Sequence, residues 1–137
     1  MAFQLATATK HVTQSARLAL LAGGDVQLRS GAQPITAQGV ATGLLLATIV
    51  LPSPAGSLST VGVTVKLSII LPLSYVLESG TIGYARFRSR TGETVFDGEC
   101  GIPGSGATII VTPASGTPSL SVFTGGELTL GVAELSE

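Results

Sequence analysis

The rhythm of polar and apolar positions changes once along this chain, near residue 24. Before it, Val12, Ala16, Ala19 and Leu20 recur at helical spacing, and Gly23-Gly24 supplies a stop. The pattern predicts a helix over 7–21, with those four residues facing inward and Lys10 and Arg17 on the wetter side. From Asp25 onward, β-branched runs alternate with Gly, Pro and Ser. This texture predicts strands at 26–29, 44–51, 61–71, 81–89, 94–99, 107–111, 120–123 and 128–135. Their number and spacing predict a mainly β fold: a β-sandwich of jelly-roll type with one short N-terminal α-helix. Residues 1–24 read as an N-terminal arm and helix, and 25–137 as a single compact sandwich.

Alternation within the strands orients some of them. In 61–71, Val61, Val63, Val65, Leu67 and Ile69 form one apolar face against Thr64, Lys66 and Ser68. In 81–89, Ala85 and Phe87 take the parity of the core, while Ile82, Tyr84, Arg86, Arg88 and Arg90 share the other. Arg90-Thr91-Gly92-Glu93 reads as a tight turn to the next strand, which lets Phe87 and Phe96 meet on the inner face. The three arginines then form a solvated stripe, partly neutralised across the hairpin by Glu93, Asp97 and Glu99. The long segments 31–43, 51–59, 101–106 and 112–118 read as loops.

Composition sharpens this picture. Charged residues make up 11% of the 137, against about 25% in an ordinary soluble domain, and the mean hydropathy is +0.55. Seven cationic and eight acidic side chains cover little of such a surface. The remainder is hydroxyl, glycine and apolar surface, which is well accommodated when neighbours cover it. A net charge of −1 gives no footprint for nucleic acid. The uncharged stretch between Arg29 and Lys66 is broken by Gln33, Pro34, Gln38, Pro52 and Pro54, too often for a membrane span. Leu18-Ala19-Leu20-Leu21 is too short and too late for the core of a signal peptide, so cytoplasmic synthesis without export is expected.

Candidate chemistry is sparse. Cys100 is the single cysteine and His11 the single histidine, in unlike segments, so neither has a catalytic partner in view. Gly101-Ile102-Pro103-Gly104-Ser105-Gly106 has the glycines of a phosphate cradle, but Thr108-Ile109-Ile110-Val111 follows where a helix should open. Asp97 and Glu99 share a strand face, yet no Asp-x-Asp loop accompanies them for calcium, and tryptophan is absent for stacking sugars. No enzyme, cofactor or metal is expected.

The order of parts is itself informative. A short helix ends in Leu20-Leu21-Ala22-Gly23-Gly24; a strand leads into Leu28-Arg29-Ser30-Gly31-Ala32-Gln33-Pro34; Thr42-Gly43-Leu44-Leu45-Leu46-Ala47-Thr48 follows. Later come Gly83-Tyr84-Ala85-Arg86-Phe87-Arg88, the Thr91-Gly92 turn and Val95-Phe96-Asp97-Gly98. Over most of its length the chain thereby resembles a diffuse group of small virion proteins of tailed bacteriophages. The resemblance implies a helix plus β-sandwich in a virion component without chemistry of its own. It points to a capsid decoration or cement protein, or alternatively to a tail or baseplate component; a carbohydrate-binding or adhesin module is the competing class. The expected partners are the chain itself, as a trimer or dimer, and other virion proteins, above all the major capsid protein. Candidate lattice contacts are Phe3 and Leu5 in the N-terminal arm and Pro34, Pro52 and Pro54, whose restricted φ lowers the ordering cost of their loops on docking.

Overall fold

The computed structural model describes residues 6–36, 38–72, 74–102, 104–105, 107, 109–112, 120–130 and 132–136. The helix, α1 (Thr7–Leu21), precedes twelve strands among these residues. They are β1 (Asp25–Arg29), β2 (Leu45–Val50), β3 (Gly56–Val61), β4 (Thr64–Ile70), β5 (Ser74–Tyr75), β6 (Gly80–Thr81), β7 (Tyr84–Arg88), β8 (Thr94–Gly101), β9 (Ile109–Thr112), β10 (Ser121–Val122), β11 (Glu127–Leu130) and β12 (Val132–Ser136). They form a seven-stranded sheet, β2-β1-β7-β8-β9-β11-β5, a three-stranded sheet, β12-β4-β3, and a small β10-β6 pair. All paired neighbours are antiparallel except β8 and β9.

One buried cluster joins the layers. Val26, Leu28, Ala85 and Phe87 come from the larger sheet, Leu67, Ile69 and Ala133 from the smaller, and Leu21 from the helix. The fold is the mainly β, sandwich-like one that the strand spacing predicts. Phe87 and Phe96 stack with ring centroids 4.3 Å apart, as direct partners across the β7–β8 hairpin. The turn is the expected one: Gly92 has φ +88°, and the Ser89 amide donates to the Glu93 carbonyl at 2.8 Å.

The larger sheet also curls until its two edges meet. The Leu77 and Glu78 amides both donate to the Leu46 carbonyl, at 2.7 and 3.3 Å. Beside them the Ser74 hydroxyl donates to the Thr48 carbonyl at 3.0 Å. Edge strand β5 thus leans on edge strand β2, which leaves fewer backbone groups open to another chain.

Four expectations are corrected. The run 61–71 is not one strand: Gly62, at φ +62°, turns β3 into β4, so Val61 and Val63 lie exposed at the hairpin tip while Val65, Leu67 and Ile69 are buried. The partner strand β3 occupies much of what reads as a loop over 51–59, because Ser57, Ser59 and Thr60 carry no apolar signal on a largely exposed edge strand. The run 128–135 is likewise two strands, β11 and β12, in different sheets. Residues 113–119, most of the loop expected at 112–118, lie outside the described residues.

The fourth correction concerns the helix, which is mounted the other way round. Val12, Ala16, Ala19 and Leu20 are exposed, whereas Gln14 and Leu21 are fully buried. The cause is backbone at the end of β4. The described pairing of β12 with β4 runs from Lys66 to Ile70, and just beyond it the Val65 carbonyl accepts from the Gln14 carboxamide at 3.3 Å. The Lys10 ammonium caps the Val63 carbonyl at 3.0 Å, and Arg17 donates to Gln14 Oε1 at 2.9 Å. Satisfying the buried Val65 carbonyl brings the polar side of the helix inward.

Candidate interaction surface

The outer face of β1, β7 and β8 is where sequence expectation and structure part most instructively. Alternation places Asp25, Gln27 and Arg29 of β1 on the face shared by Tyr84, Arg86 and Arg88 of β7 and by Asp97 and Glu99 of β8. This is not a solvated arginine stripe. Arg86 is 5% exposed, and its Nε and Nη2 donate to the two Asp97 carboxylate oxygens at 2.8 and 3.0 Å. Arg88 instead turns to β1, donating to both Asp25 oxygens at 2.8 and 2.7 Å. Arg90 lies in the turn, exposed, with no ion pair among the described residues. The hydrogen bonds to Asp97 and Asp25 raise the two paired guanidinium pKa values further, against the opposing effect of burial.

Arg86 also meets the segment that precedes β2. Its third donor, Nη1, bonds the Gly39 carbonyl at 2.9 Å. Tyr84, fully buried, accepts from the Thr42 amide and donates to the Thr42 carbonyl, both at 2.9 Å. At the base of the segment, the Ser30 hydroxyl accepts from the Leu44 amide at 2.9 Å. Gly43 stands here at φ +71°, where a Cβ would sit on the Ser30 carbonyl oxygen. Side-chain hydrogen bonds to the backbone of Gly39, Thr42 and Leu44 therefore hold this segment, while Ile35 and Val40 on it are 103% and 88% exposed.

Of the expected lattice contacts, Phe3 and Leu5 lie outside the described residues. Pro34 is half-buried in the pinned segment, and Pro52 and Pro54 are exposed. These two loops do not converge: they leave opposite ends of β2, a six-residue strand spanning about 17 Å.

Two features carried little sequence signal. One is an exposed cluster at the edge strand, made of Tyr75, Leu77 and Phe123. Glu127 is the direct cross-strand partner of Tyr75, and the Val76 amide and carbonyl bond Gly126 and Gly125, which brings the turn after Phe123 alongside. The alternation of buried Val76 with exposed Tyr75 and Leu77 was the available clue. The other is a cleft of about 240 Å³ between the C-terminus of α1, the loop at Ser53 and the β7–β8 turn.

The reactive groups stay apart. Cys100 is buried in β8, and burial, with a smaller contribution from the Glu99 charge, pushes its thiol up to about 12. His11 lies exposed on α1 with Nδ1 3.4 Å from the Ser15 hydroxyl. Asp97 is engaged by Arg86, and Glu99 is exposed opposite Tyr84. Gly104, at φ +87°, lies in a turn on the way to strand β9. Among the described residues no three His, Cys, Asp or Glu side chains gather as a metal site, and no helix is long and apolar enough to cross a membrane.

Comparison of the chain with protein-family models, with curated proteins and with solved structures finds no match.

Proposed function

We propose that this chain is a non-enzymatic structural protein of a bacteriophage virion, and within that class a capsid decoration or cement protein. On this reading it associates with copies of itself and with the major capsid protein, and it adds stability to a shell already assembled. The observation that carries the reading is the pinned segment 31–44. Buried Arg86 and Tyr84 hold its backbone while Ile35 and Val40 face solvent. A loop ordered in advance loses little entropy on docking, and its exposed apolar side chains have most to gain from cover.

The scarcity of charge supports the same reading. Among the described residues, Arg88, Arg86 and Lys66 are engaged in ion pairs with Asp25, Asp97 and Glu134, and a net charge of −1 gives little long-range steering. Attachment then rests on short-range contacts multiplied by copy number. The test is retention on purified phage capsids, with the protein quantified by mass spectrometry of the particles. Ile35→Ser with Val40→Ser should release the protein without lowering its melting temperature, and raising salt should change retention little. Undiminished retention of the double variant, or absence of the protein from particles, would reject the proposal.

A further inference from the structure

The exposed aromatic cluster and the cleft by the helix lie toward opposite ends of β2. The cleft, about 240 Å³, is lined by Ala19, Leu20 and Ala22 on one side and by Ser53, Arg90 and Thr91 among others. Small-molecule sites commonly start at about 300 Å³; one large side chain is the better match in size. The apolar wall receives a ring, and Arg90 is placed to meet a π face or a carboxylate. The stem of Arg90 already lies along Gly23.

The same molecule displays such an occupant. Tyr75, Leu77 and Phe123 are 57%, 54% and 73% exposed. The other described aromatics, Tyr84, Phe87 and Phe96, are buried or packed against the core. Exposed Glu78 and Glu127 accompany the cluster. Aromatic anchors dominate the energetics of protein interfaces.

Position decides how the two can meet. Leu77 and Glu78 bond to Leu46, near the start of β2, whereas Ser53 of the cleft follows its other end. A molecule therefore does not fill its own cleft. Cluster-to-cluster pairing is disfavoured because it would gather four carboxylates. Cluster-to-cleft pairing sets the two acids against a site whose charges are Arg90 and Glu93.

We propose that copies of this chain associate head to tail, with Tyr75, Leu77 and Phe123 of one molecule seated against Ala19, Leu20 and Arg90 of the next. The inference rests on the proposed function only for the expectation of self-association; it assigns the two surfaces and the mode. Such a contact is heterologous, so each molecule uses both surfaces and the assembly closes as a ring or extends.

The mode has a signature that a symmetric contact lacks. Phe123→Asp removes the knob and leaves the cleft, while Ala19→Arg blocks the cleft and leaves the knob; both sites are exposed, and unchanged melting temperatures certify folding. Tyr75→Ser serves as an independent knob lesion should Phe123→Asp fold poorly. In sedimentation velocity the wild type should be oligomeric at high micromolar concentration. Each variant alone should be monomeric, its association weakened by about thirtyfold or more, as for a central anchor. An equimolar mixture of the two should give a one-to-one dimer and nothing larger.

A monomeric wild type, variants that still self-associate, or a mixture without heterodimer would each overturn the inference. So would a monomer that captures glycans through Tyr75, which assigns the cluster to sugar instead. Capsid retention fails or succeeds separately: a ring absent from particles sinks the virion reading alone, and a monomer retained on particles sinks this inference alone.

Discussion

The Arg86 guanidinium meets the Asp97 carboxylate through two parallel hydrogen bonds of 2.8 and 3.0 Å, with both side chains at most 6% exposed. The pair spans β7 and β8, and the remaining Arg86 donor reaches the Gly39 carbonyl. A cross-strand contact is thereby also the anchor of a surface loop.

Arg86→Ala should be among the most destabilising single substitutions. It strands a buried carboxylate, a loss of about 3–5 kcal/mol, readable in urea unfolding. Arg86→Lys should recover little, since an ammonium cannot serve both carboxylate oxygens and Gly39. Amide exchange across 38–44 should rise in both variants; unchanged protection there would refute the anchoring role.

Tyr84→Phe removes the hydroxyl that bonds both the Thr42 amide and carbonyl while leaving the ring. Thr42 is exposed, so water can replace part of what is lost. The expected cost is about 1–1.5 kcal/mol, or a fall of roughly 3–6 °C in melting temperature. Proteolysis within 31–44 should accelerate as the segment loosens.

Cys100 should be nearly inert to thiol reagents in the native protein. A shift from 9.0 to about 12 lowers the thiolate fraction about a thousandfold at neutral pH, and burial reduces access further. The same shift has a sign for stability. The unfolded thiol ionises above pH 9 while the folded one stays protonated, so its contribution is intact below pH 9 and declines as pH rises toward 12. That loss is at most about 4 kcal/mol. Cys100→Ala should flatten this part of the alkaline stability curve; identical wild-type and variant slopes would contradict it.

The helix gives a sharp contrast. Val12→Asp should change stability by no more than about 0.5 kcal/mol because the side chain is 68% exposed. Leu21→Ala, in the core cluster, should cost about 2–5 kcal/mol. If Val12→Asp unfolds the protein, the helix does not sit with its apolar stripe outward.

These cases show what was legible in the residues. Period-two alternation fixed the inner face of β7 and the Phe87–Phe96 contact, because burial on one side of a sheet leaves a direct trace in sequence. Helical spacing also identified α1, but not its rotation. An apolar stripe is read as a core face by default, whereas here the Val65 carbonyl of β4 and the Val63 carbonyl in the turn before it engage Gln14 and Lys10, and backbone groups are invisible in a hydropathy pattern. Strand β3 was hidden for a related reason, since an exposed edge rich in serine looks like a loop. Neutralisation of the arginine stripe by acids of the next strand was legible and holds for Arg86 with Asp97; the burial of that pair was not, because a further contact comes from Gly39, forty-odd residues upstream.

The meeting of β5 with β2 bears on how the chain behaves when it is crowded. Open strand edges in that state invite runaway sheet extension. With Leu46 and Thr48 already accepting hydrogen bonds from the chain's other edge, the larger sheet offers less of that template. At this sheet, crowded molecules then meet more through side chains than through open backbone.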